Sequence, residues 1–167
     1  DLDEDQERAQ IAEAVRRLEA TLGRAPEGWY CRYGPSVNTR RLLVEHGGFL
    51  YDSDSYADEV PFWVDVEGHD HLVVPYSLAT NDAKLLTGSP NATAWFEYMR
   101  DAFDVLRTEA AEHTKVLSIG LHNRIVGHPG RFAGLLRLLD HVESYDDVWL
   151  ARRSDIARHW RQQHPPG

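Results

Sequence analysis

The stretch GWYCRYGPSVNTRRLLVEHGGFLY, residues 28–51, predicts a strand, a helix and a second strand in succession. Trp29 and Tyr30 favour a short strand at its start, because aromatic residues are enriched in strands. Ser36 or Asn38 can cap the helix that follows, and two glycines end this helix before the second strand. A strand, a helix and a strand joined by short loops indicate a unit of a parallel sheet.

Elements of the same two kinds continue on either side of this stretch. A helix before it carries an apolar stripe at Ile11, Val15, Leu18 and Leu22, with Asp3 or Asp5 as the cap and Gly23 as the end. The later predicted elements are a hairpin of residues 62–66 and 72–76, a helix from Asn91 or Thr93, a buried strand at 115–121, a helix through 132–139, a strand at 148–150, a helix from Ser154 and a loose tail at 162–167.

The alternation predicts an α/β fold with a parallel sheet, either doubly wound or part of a barrel. A complete β/α barrel usually needs about 250 residues, whereas this chain has 167. We therefore expect either an open sheet or a portion of a barrel. No linker or repeat divides the sequence, which predicts a single domain over residues 1–167.

Composition excludes several classes of partner. The chain has 18 Lys and Arg against 27 Asp and Glu, a net charge of −9, which disfavours nucleic acid and anionic membranes. No apolar run approaches the roughly 18 residues of a membrane helix. The single cysteine, Cys31, cannot form an internal disulfide. We therefore expect a cytoplasmic protein that acts on a small molecule.

Polar residues directly after predicted strands are the first candidates for a site, because ligands of parallel α/β folds bind beyond the carboxyl ends of strands. His122 ends the apolar run at 115–121. An imidazole can donate a proton to a leaving nitrogen or accept one near neutral pH. Asn123 and Arg124 add donors that could hold an oxyanion. The alternative is a strand-end histidine that only bonds to backbone.

Three further residues occupy similar positions. Arg32 follows the first strand of the opening stretch and could hold a carbonyl or anionic group through its planar fork, or lie on the surface. Asp52 follows the second strand and could orient a histidine, bind a ureide N–H, or cap a turn. Asp82, with Asn81, follows the hairpin and could equally cap a short helix.

The pair His69 and His71 is the only spacing that suggests a metal. Both side chains would point to one side of a strand, with Asp65 or Asp70 near them. Two histidines fall short of the three or four ligands that a site requires, so we predict a hairpin surface and no metal site.

Several segments together resemble the allantoinase-like branch of the polysaccharide deacetylase superfamily, over nearly the whole chain. The segments are Gly28-Trp29-Tyr30, residues 38–43, residues 47–54, residues 71–76, Gly120-Leu121-His122, residues 127–131 and residues 155–160. The resemblance implies a distorted β/α barrel of the deacetylase type. It also implies hydrolysis of a C–N bond: deacetylation of amino sugars in the superfamily, and ring opening of allantoin or cyclic imides in this branch.

The family motifs carry over to individual residues. The closing Leu-x-x-His motif falls on residues 119–122, with isoleucine in place of leucine, and implies that His122 is the proton donor or a substrate ligand. The Asp-x-x-Asp motif falls on residues 79–82, where alanine replaces the first aspartate and Asp82 remains. The arginine of the third motif falls at Arg32, and the resemblance adds Trp29 and Tyr30, with Asp52, as substrate-binding residues.

The superfamily's acidic motif and its His-x-x-x-His metal motif normally lie in an earlier half. We therefore expect these residues to be the C-terminal part of a catalytic domain, inactive alone and completed by the N-terminal half or by a second subunit in a homo- or hetero-oligomer. The branch is regarded as able to work without a metal, so the prediction is an allantoinase-like amidohydrolase of purine catabolism without a cofactor. The alternatives are a cyclic imide hydrolase, a zinc-dependent deacetylase of chitooligosaccharide or peptidoglycan, and a non-catalytic half barrel retained for assembly.

Overall fold

A computed structural model of the chain describes residues 2–85 and 91–167. The chain divides into two compact units, one running to Pro75 and including Ala151–Gly167, the other comprising Tyr76–Leu150. The helices are α1 Glu4–Leu22, α2 Thr39–His46, α3 Asp82–Leu85, α4 Ala92–Glu109, α5 Asn123–Val126, α6 Pro129–Glu143 and α7 Arg153–Gln163. The strands are β1 Gly28–Trp29, β2 Tyr51–Asp52, β3 Phe62–Val66 and β4 His69–Val73.

The first unit contains a sheet with the strand order β1-β2-β4-β3. β1, β2 and β4 are parallel, and β3 pairs antiparallel with β4. Trp29 lies opposite Asp52, and Asp52 lies opposite Val73. The carboxyl ends of the three parallel strands therefore meet at one edge of this sheet. The strand, helix and strand predicted from residues 28–51 are all present, with both strands shorter than expected.

Local capping explains the first helix. Asp3 is the N-cap of α1 and forms a capping box with Gln6, and Gly23 ends the helix in the left-handed conformation at φ 72°. Ile11 is buried against α2, but Leu18 and Leu22 are 41% and 61% exposed. The predicted apolar stripe is therefore only partly covered in the described part of the chain.

A glycine is required where β1 and β2 meet. A Cβ atom on Gly28 would lie 2.2 Å from Cζ of Tyr51, so a side chain at this position would displace the tyrosine ring. Two cores flank the sheet. One joins Ile11, Leu42 and Leu43 to Trp29 and Phe49, and the other joins Leu72, Val74 and Ala157 to Leu50, Tyr51, Trp63, Ile156 and Trp160.

The second unit is built on the pairing of α4 with α6. Asn91 caps α4, as predicted, by accepting hydrogen bonds from the backbone of Thr93 and Ala94. The core of this unit consists of Trp95, Met99 and Phe103 from α4 with Leu138 and Val142 from α6. Apolar residues recur here at helical spacing, which is why the sequence pattern located both helices.

Residues 115–121 do not form the predicted strand buried on both faces. Only one bridge forms there, between Gly120 and Asn81, and Leu121 is 45% exposed. In this parallel register residues 115–119 would pair with residues 76–80, but the chain turns at 78–80, where the N–H of Asn81 donates to the carbonyl of Leu78 at 3.4 Å. The strand predicted at 148–150 is also absent, and Trp149 and Leu150 are 58% and 62% exposed.

The hairpin is tighter than predicted. Glu67 and Gly68 alone form the turn, both with positive φ, at 53° and 84°. His69 and His71 therefore belong to β4 rather than to a loop. At the other end, α7 continues to Gln163, and Nε1 of Trp63 donates to the carbonyl of His164 at 2.6 Å. The tail predicted as loose at 162–167 therefore begins inside α7, and His164 is bonded to Trp63. Across residues 2–85 and 91–167, no helix is long and apolar enough to cross a membrane.

Candidate functional site

His122 and Asp82 form a hydrogen-bonded pair in the second unit. Nδ1 of His122 lies 2.6 Å from Oδ1 of Asp82, and the backbone N–H of His122 donates to Oδ2 of the same carboxylate at 2.8 Å. Asp82 is completely buried, whereas the His122 side chain is 34% exposed. One carboxylate therefore fixes both the ring and the backbone of a histidine that remains accessible.

The two members of this pair arrive on segments that run side by side. Gly120 donates from its N–H to the carbonyl of Thr80 at 3.1 Å and accepts from the N–H of Asp82 at 2.9 Å. Thr80 also donates its hydroxyl to the carbonyl of Ser118. Asn81 stabilises the start of α3 by accepting from the N–H of Ala83 at 2.9 Å. This short ladder sets the separation of Asp82 from His122.

Gly120 is a point of close approach in this ladder. A Cβ atom there would lie 1.9 Å from Oη of Tyr76 and 2.8 Å from Nδ2 of Asn81. We expect Gly120→Ala to lower the free energy of unfolding by about 1–3 kcal/mol, because an overpacked site must shift its neighbours. Urea unfolding measures the loss. Gly130→Ala, where nothing lies within 4 Å of the added atom, is the control, and equal losses in both variants would contradict the account.

The geometry of the pair determines what the imidazole can do. A carboxylate only accepts hydrogen bonds, so Nδ1 carries the proton that faces Asp82. Nε2 is then the nitrogen through which the ring exchanges a proton with a substrate. Because the buried negative charge also stabilises an imidazolium, the arrangement suits a general acid that protonates a leaving group. The sequence placed both residues at a site but did not show that they touch.

Asn123 and Arg124, predicted to bind substrate, follow His122 directly. His122 is the N-cap residue of α5, and both Asn123 and Arg124 are exposed on its first turn. Oδ1 of Asn123 accepts from the backbone N–H of Arg124 at 2.7 Å. The structure thus places these two residues beside the histidine on the same short helix, and their substrate role stays a prediction.

Asp52, also predicted to bind substrate, lies in the first unit at the centre of a buried charge cluster. Its side chain is 1% exposed and pairs with the guanidinium of Arg40 through two hydrogen bonds, at 2.7 and 3.1 Å. Nε2 of His71 lies 3.0 Å from Oδ2 of the same carboxylate, and Asp54 donates its N–H to Oδ1 at 2.9 Å. Asp52 thus contacts a histidine, His71 on β4, and also caps the turn to Asp54, while its substrate-binding role stays a prediction. We name Arg40, Asp52 and His71 the buried triad.

The pKa of Asp52 reflects this cluster. Burial alone would raise the pKa of the carboxyl, but hydrogen bonds from His71 and Arg40 and the positive charge of Arg40 outweigh it and lower the pKa to about 2. The ordinary value is 3.8. The folded state therefore favours the ionised form of Asp52. The contribution of this carboxylate to the free energy of unfolding is present above pH 4 and is lost as the pH falls toward 2.

This shift predicts acid sensitivity that depends on one carboxyl. Between pH 6 and pH 2, protonation of Asp52 is expected to remove about 2 kcal/mol from the free energy of unfolding. Urea midpoints measured across this range should fall more steeply for the wild type than for Asp52→Asn, which lacks the titrating group. Asp140→Asn, a change at an exposed carboxylate, serves as control. Parallel curves for the wild type and Asp52→Asn would show that the linkage is absent.

Arg32, Trp29 and Tyr30 lie at the end of β1. The guanidinium of Arg32 sits over the ring of Tyr33, 4.7 Å from its centroid, and the arginine is exposed. Trp29 packs edge to face on Phe49. The hydroxyls of Tyr30 and Tyr56 lie 3.2 Å apart, which links the segment after β1 to the segment after β2. No substrate role of these residues is tested by the geometry.

Two residues near Arg32, Cys31 and Asp54, were not among the predicted site residues. Oδ1 of Asp54 accepts from the backbone N–H of Cys31 at 2.9 Å, and Oδ2 is buried without a hydrogen-bond partner in the described part of the chain. Burial raises the pKa of Asp54 and raises that of the Cys31 thiol to about 11. This shift favours the neutral thiol of Cys31 over the thiolate at neutral pH. From the sequence Asp-Ser-Asp alone, the contact of Asp54 with Cys31 cannot be distinguished from the capping of a turn.

The described residues do not offer a metal site. No group of three or more His, Cys, Asp or Glu side chains in residues 2–85 and 91–167 is arranged to hold an ion. His69 is exposed, and its Nδ1 lies 3.3 Å from the carbonyl of Glu67, whereas His71 is held by Asp52. The described residues therefore do not supply a ligand set for the zinc of the deacetylase alternative.

The chain is similar in sequence and in structure to known proteins. No family model matches the chain. By sequence it is 41% identical to a Schizosaccharomyces pombe protein assigned as a polysaccharide deacetylase, with 84% of this chain and 49% of that protein covered. The crystal structure of a Pseudomonas aeruginosa PAO1 protein, assigned in the same way, matches with a TM-score of 0.92 and 48% identity over 99% of this chain and 56% of the other.

Two further crystal structures agree with these matches. PuuE allantoinase gives a TM-score of 0.92 and 48% identity, over 99% of this chain and 56% of that chain. A Mycobacterium smegmatis protein assigned as a polysaccharide deacetylase gives 0.84 and 29% identity, over 96% of this chain and 58% of that chain. The chain is a homologue of the polysaccharide deacetylases. It spans about half the length of the relatives it matches. The predicted fold class is confirmed, since the chain has the α/β fold of part of these deacetylase structures.

Proposed function

We propose that this chain forms part of a hydrolase of non-peptide C–N bonds whose substrates are cyclic amides, allantoin first among them. The observation that carries the proposal is the His122–Asp82 pair, an accessible imidazole fixed by a buried carboxylate. Opening a cyclic amide requires a proton for the departing nitrogen, and this pair is suited to supply it. The 48% identity to PuuE allantoinase supports the choice of substrate.

In the proposed reaction, the oxygen of water bonds to a ring carbonyl carbon and the C–N bond of the ring breaks. The proton on Nε2 of His122 passes to the departing nitrogen, and the electron pair of the broken bond remains there. Asp82 stabilises the imidazolium before transfer and keeps Nε2 directed toward the substrate. The group that accepts the proton from water is not assigned to this chain, because the resemblance places the acidic motif in the other half.

The remaining residues are proposed to bind the substrate. A guanidinium presents a fork of donors that matches a carbonyl or carboxylate, which is the role proposed for Arg32. Asn123 and Arg124, beside His122, are proposed to stabilise the charge that develops on the carbonyl oxygen. Trp29 and Tyr30 are proposed to contact the ring of the substrate. Asp52 is proposed to contribute indirectly, by holding the segment after β2 through the N–H of Asp54.

The chain is proposed to need a partner polypeptide. Among the described strands, β1 pairs with β2 only, so one side of β1 has no ladder in this part of the chain. An unpaired strand edge favours association with another strand. The relatives are nearly twice as long as this chain, which supports the proposal that the other half of the same fold, or a second copy in an oligomer, covers this edge.

One alternative has a specific observation in its favour. Three of the relatives described above are assigned as polysaccharide deacetylases, so hydrolysis of the acetamide of a chitooligosaccharide or of peptidoglycan is the second candidate. That chemistry requires a divalent metal in the superfamily, and its ligands would have to come from the other half. A different alternative is a non-catalytic half barrel. It is favoured by Ala79, which stands where the Asp-x-x-Asp motif of the resemblance has its first aspartate.

The test is a complemented enzyme. We define this as the chain co-expressed with the segment of the Pseudomonas aeruginosa relative that it does not match. It is assayed with allantoin, a cyclic imide and a chitooligosaccharide, with and without a chelator. We expect allantoin to be opened fastest and at a rate that the chelator does not change. Release of acetate alone, abolished by the chelator and restored by zinc, would replace the proposal by the deacetylase alternative.

A further inference from the structure

The segment that carries Arg32 is a strained turn. The N–H of Gly34 donates to the carbonyl of Cys31 at 3.3 Å, which closes the turn, and Tyr33 adopts φ 70°. A tyrosine in the left-handed region is strained and persists only where its surroundings stabilise it. The side chain of Tyr33 is 91% exposed, so its own packing does not hold the turn.

The segment after β2 stabilises this turn. Oδ1 of Asp54 accepts from the N–H of Cys31 at 2.9 Å, across 23 residues, immediately before Arg32. β1 and β2 are parallel and their carboxyl ends lie side by side, which brings Asp54 to the first residue of the turn.

Asp54 is itself fixed by the buried triad. Its N–H donates to Oδ1 of Asp52 at 2.9 Å, and its carbonyl accepts from Nη2 of Arg40 at 3.2 Å. The same guanidinium pairs with the buried Asp52. A chain of hydrogen bonds thus runs from α2, through Asp54, to the backbone that precedes Arg32.

We propose that Asp54 is a positioning residue that sets the location of Arg32 for substrate binding. This inference rests on the substrate-binding role proposed above for Arg32. Without the carboxylate, the N–H of Cys31 loses its acceptor and the turn is free to relax from its strained form. A misplacement of about 1 Å in a positioning group can cost on the order of 10²-fold in rate.

The test is a double-mutant cycle in the complemented enzyme. Asp54→Ala alone should lower kcat/KM by about 10²-fold, with most of the loss in KM. In an Arg32→Ala background, Asp54→Ala should cause no further loss, because a residue that acts through Arg32 has nothing left to position. Asp54→Asn keeps an oxygen that can accept from Cys31 and should recover most of the activity. Asp58→Ala, at an exposed aspartate of the same segment, is the control.

The outcomes separate the two proposals. Equal losses from Asp54→Ala in both backgrounds, or no loss in either, overturn the positioning role and leave that of Arg32 intact. An Arg32→Ala variant of full activity overturns the proposed substrate role of Arg32, and the inference with it. If Asp54→Ala does not fold, Asp54→Glu, which moves the carboxylate by one methylene, takes its place in the same cycle, with the same criteria.

Discussion

Replacement of His122 by alanine in the complemented enzyme is expected to lower kcat/KM for allantoin by about 10²–10⁴-fold, the usual contribution of a positioned general acid. The loss should appear mainly in kcat, because the proton is needed as the C–N bond breaks. The expected change in stability is small, since the ring is 34% exposed and fills no core position. Steady-state kinetics together with a urea unfolding curve measures both effects.

The control for this variant is His113→Ala. His113 is an exposed histidine of the same unit and lies outside the proposed site, so its removal should leave kcat unchanged. Asp82→Asn provides a second, graded variant, because it keeps the shape of the carboxylate but removes the charge that stabilises an imidazolium. We expect a loss smaller than that of His122→Ala. Full activity of His122→Ala would exclude the histidine as the acid.

Replacement of Arg40 by alanine is expected to lower the free energy of unfolding by about 2–3 kcal/mol, because it takes the charged partner from a buried carboxylate, while the guanidinium itself is 34% exposed. Asp52 is 1% exposed and depends on the two hydrogen bonds from this guanidinium. His71 would remain as a donor to Oδ2, which sets the lower end of the range. Arg40→Lys should lose less, since it restores the charge but not the paired geometry.

Arg41, the next residue, is the matched control for this experiment. Its guanidinium also pairs with carboxylates, those of Glu4 and Glu45, but these carboxylates are 43% and 40% exposed. Exposed ion pairs contribute about 0–1 kcal/mol, so Arg41→Ala should have a correspondingly small effect on urea unfolding. Equal losses for Arg40→Ala and Arg41→Ala would mean that burial of Asp52 does not govern the stability of this cluster.

The helices were predicted well because their signals are local. Asp3, Gly23 and Asn91 act within one turn of the helix that each begins or ends, so the sequence contains the whole interaction. The apolar spacing of α4 and α6 similarly reflects one buried face. The run at 115–121 was wrongly predicted as a strand, because continuous apolar residues indicate burial, whereas a strand also needs an extended partner segment of similar length. The segment in register with it, residues 76–80, turns at 78–80 instead of running extended.

The site was predicted in its members but not in its connections. His122 and Asp82 are 40 residues apart, and only the ladder formed by Thr80 and Gly120 brings them together. The buried triad was not predicted, because Arg40 was noted only as part of a helix and the second hairpin strand was predicted to begin at Leu72, one residue after His71. These contacts depend on register between elements, which composition and periodicity do not encode.

The most direct test of the account is the rate of allantoin ring opening by this chain alone, by its complement alone and by the two together. The account predicts ring opening only when both polypeptides are present. The rate should be proportional to the concentration of their complex. Ring opening by this chain alone, at the rate of the pair, would contradict the claim that the His122–Asp82 pair works in a site completed by another half. So would a stable, folded complex of the two halves that leaves allantoin unchanged.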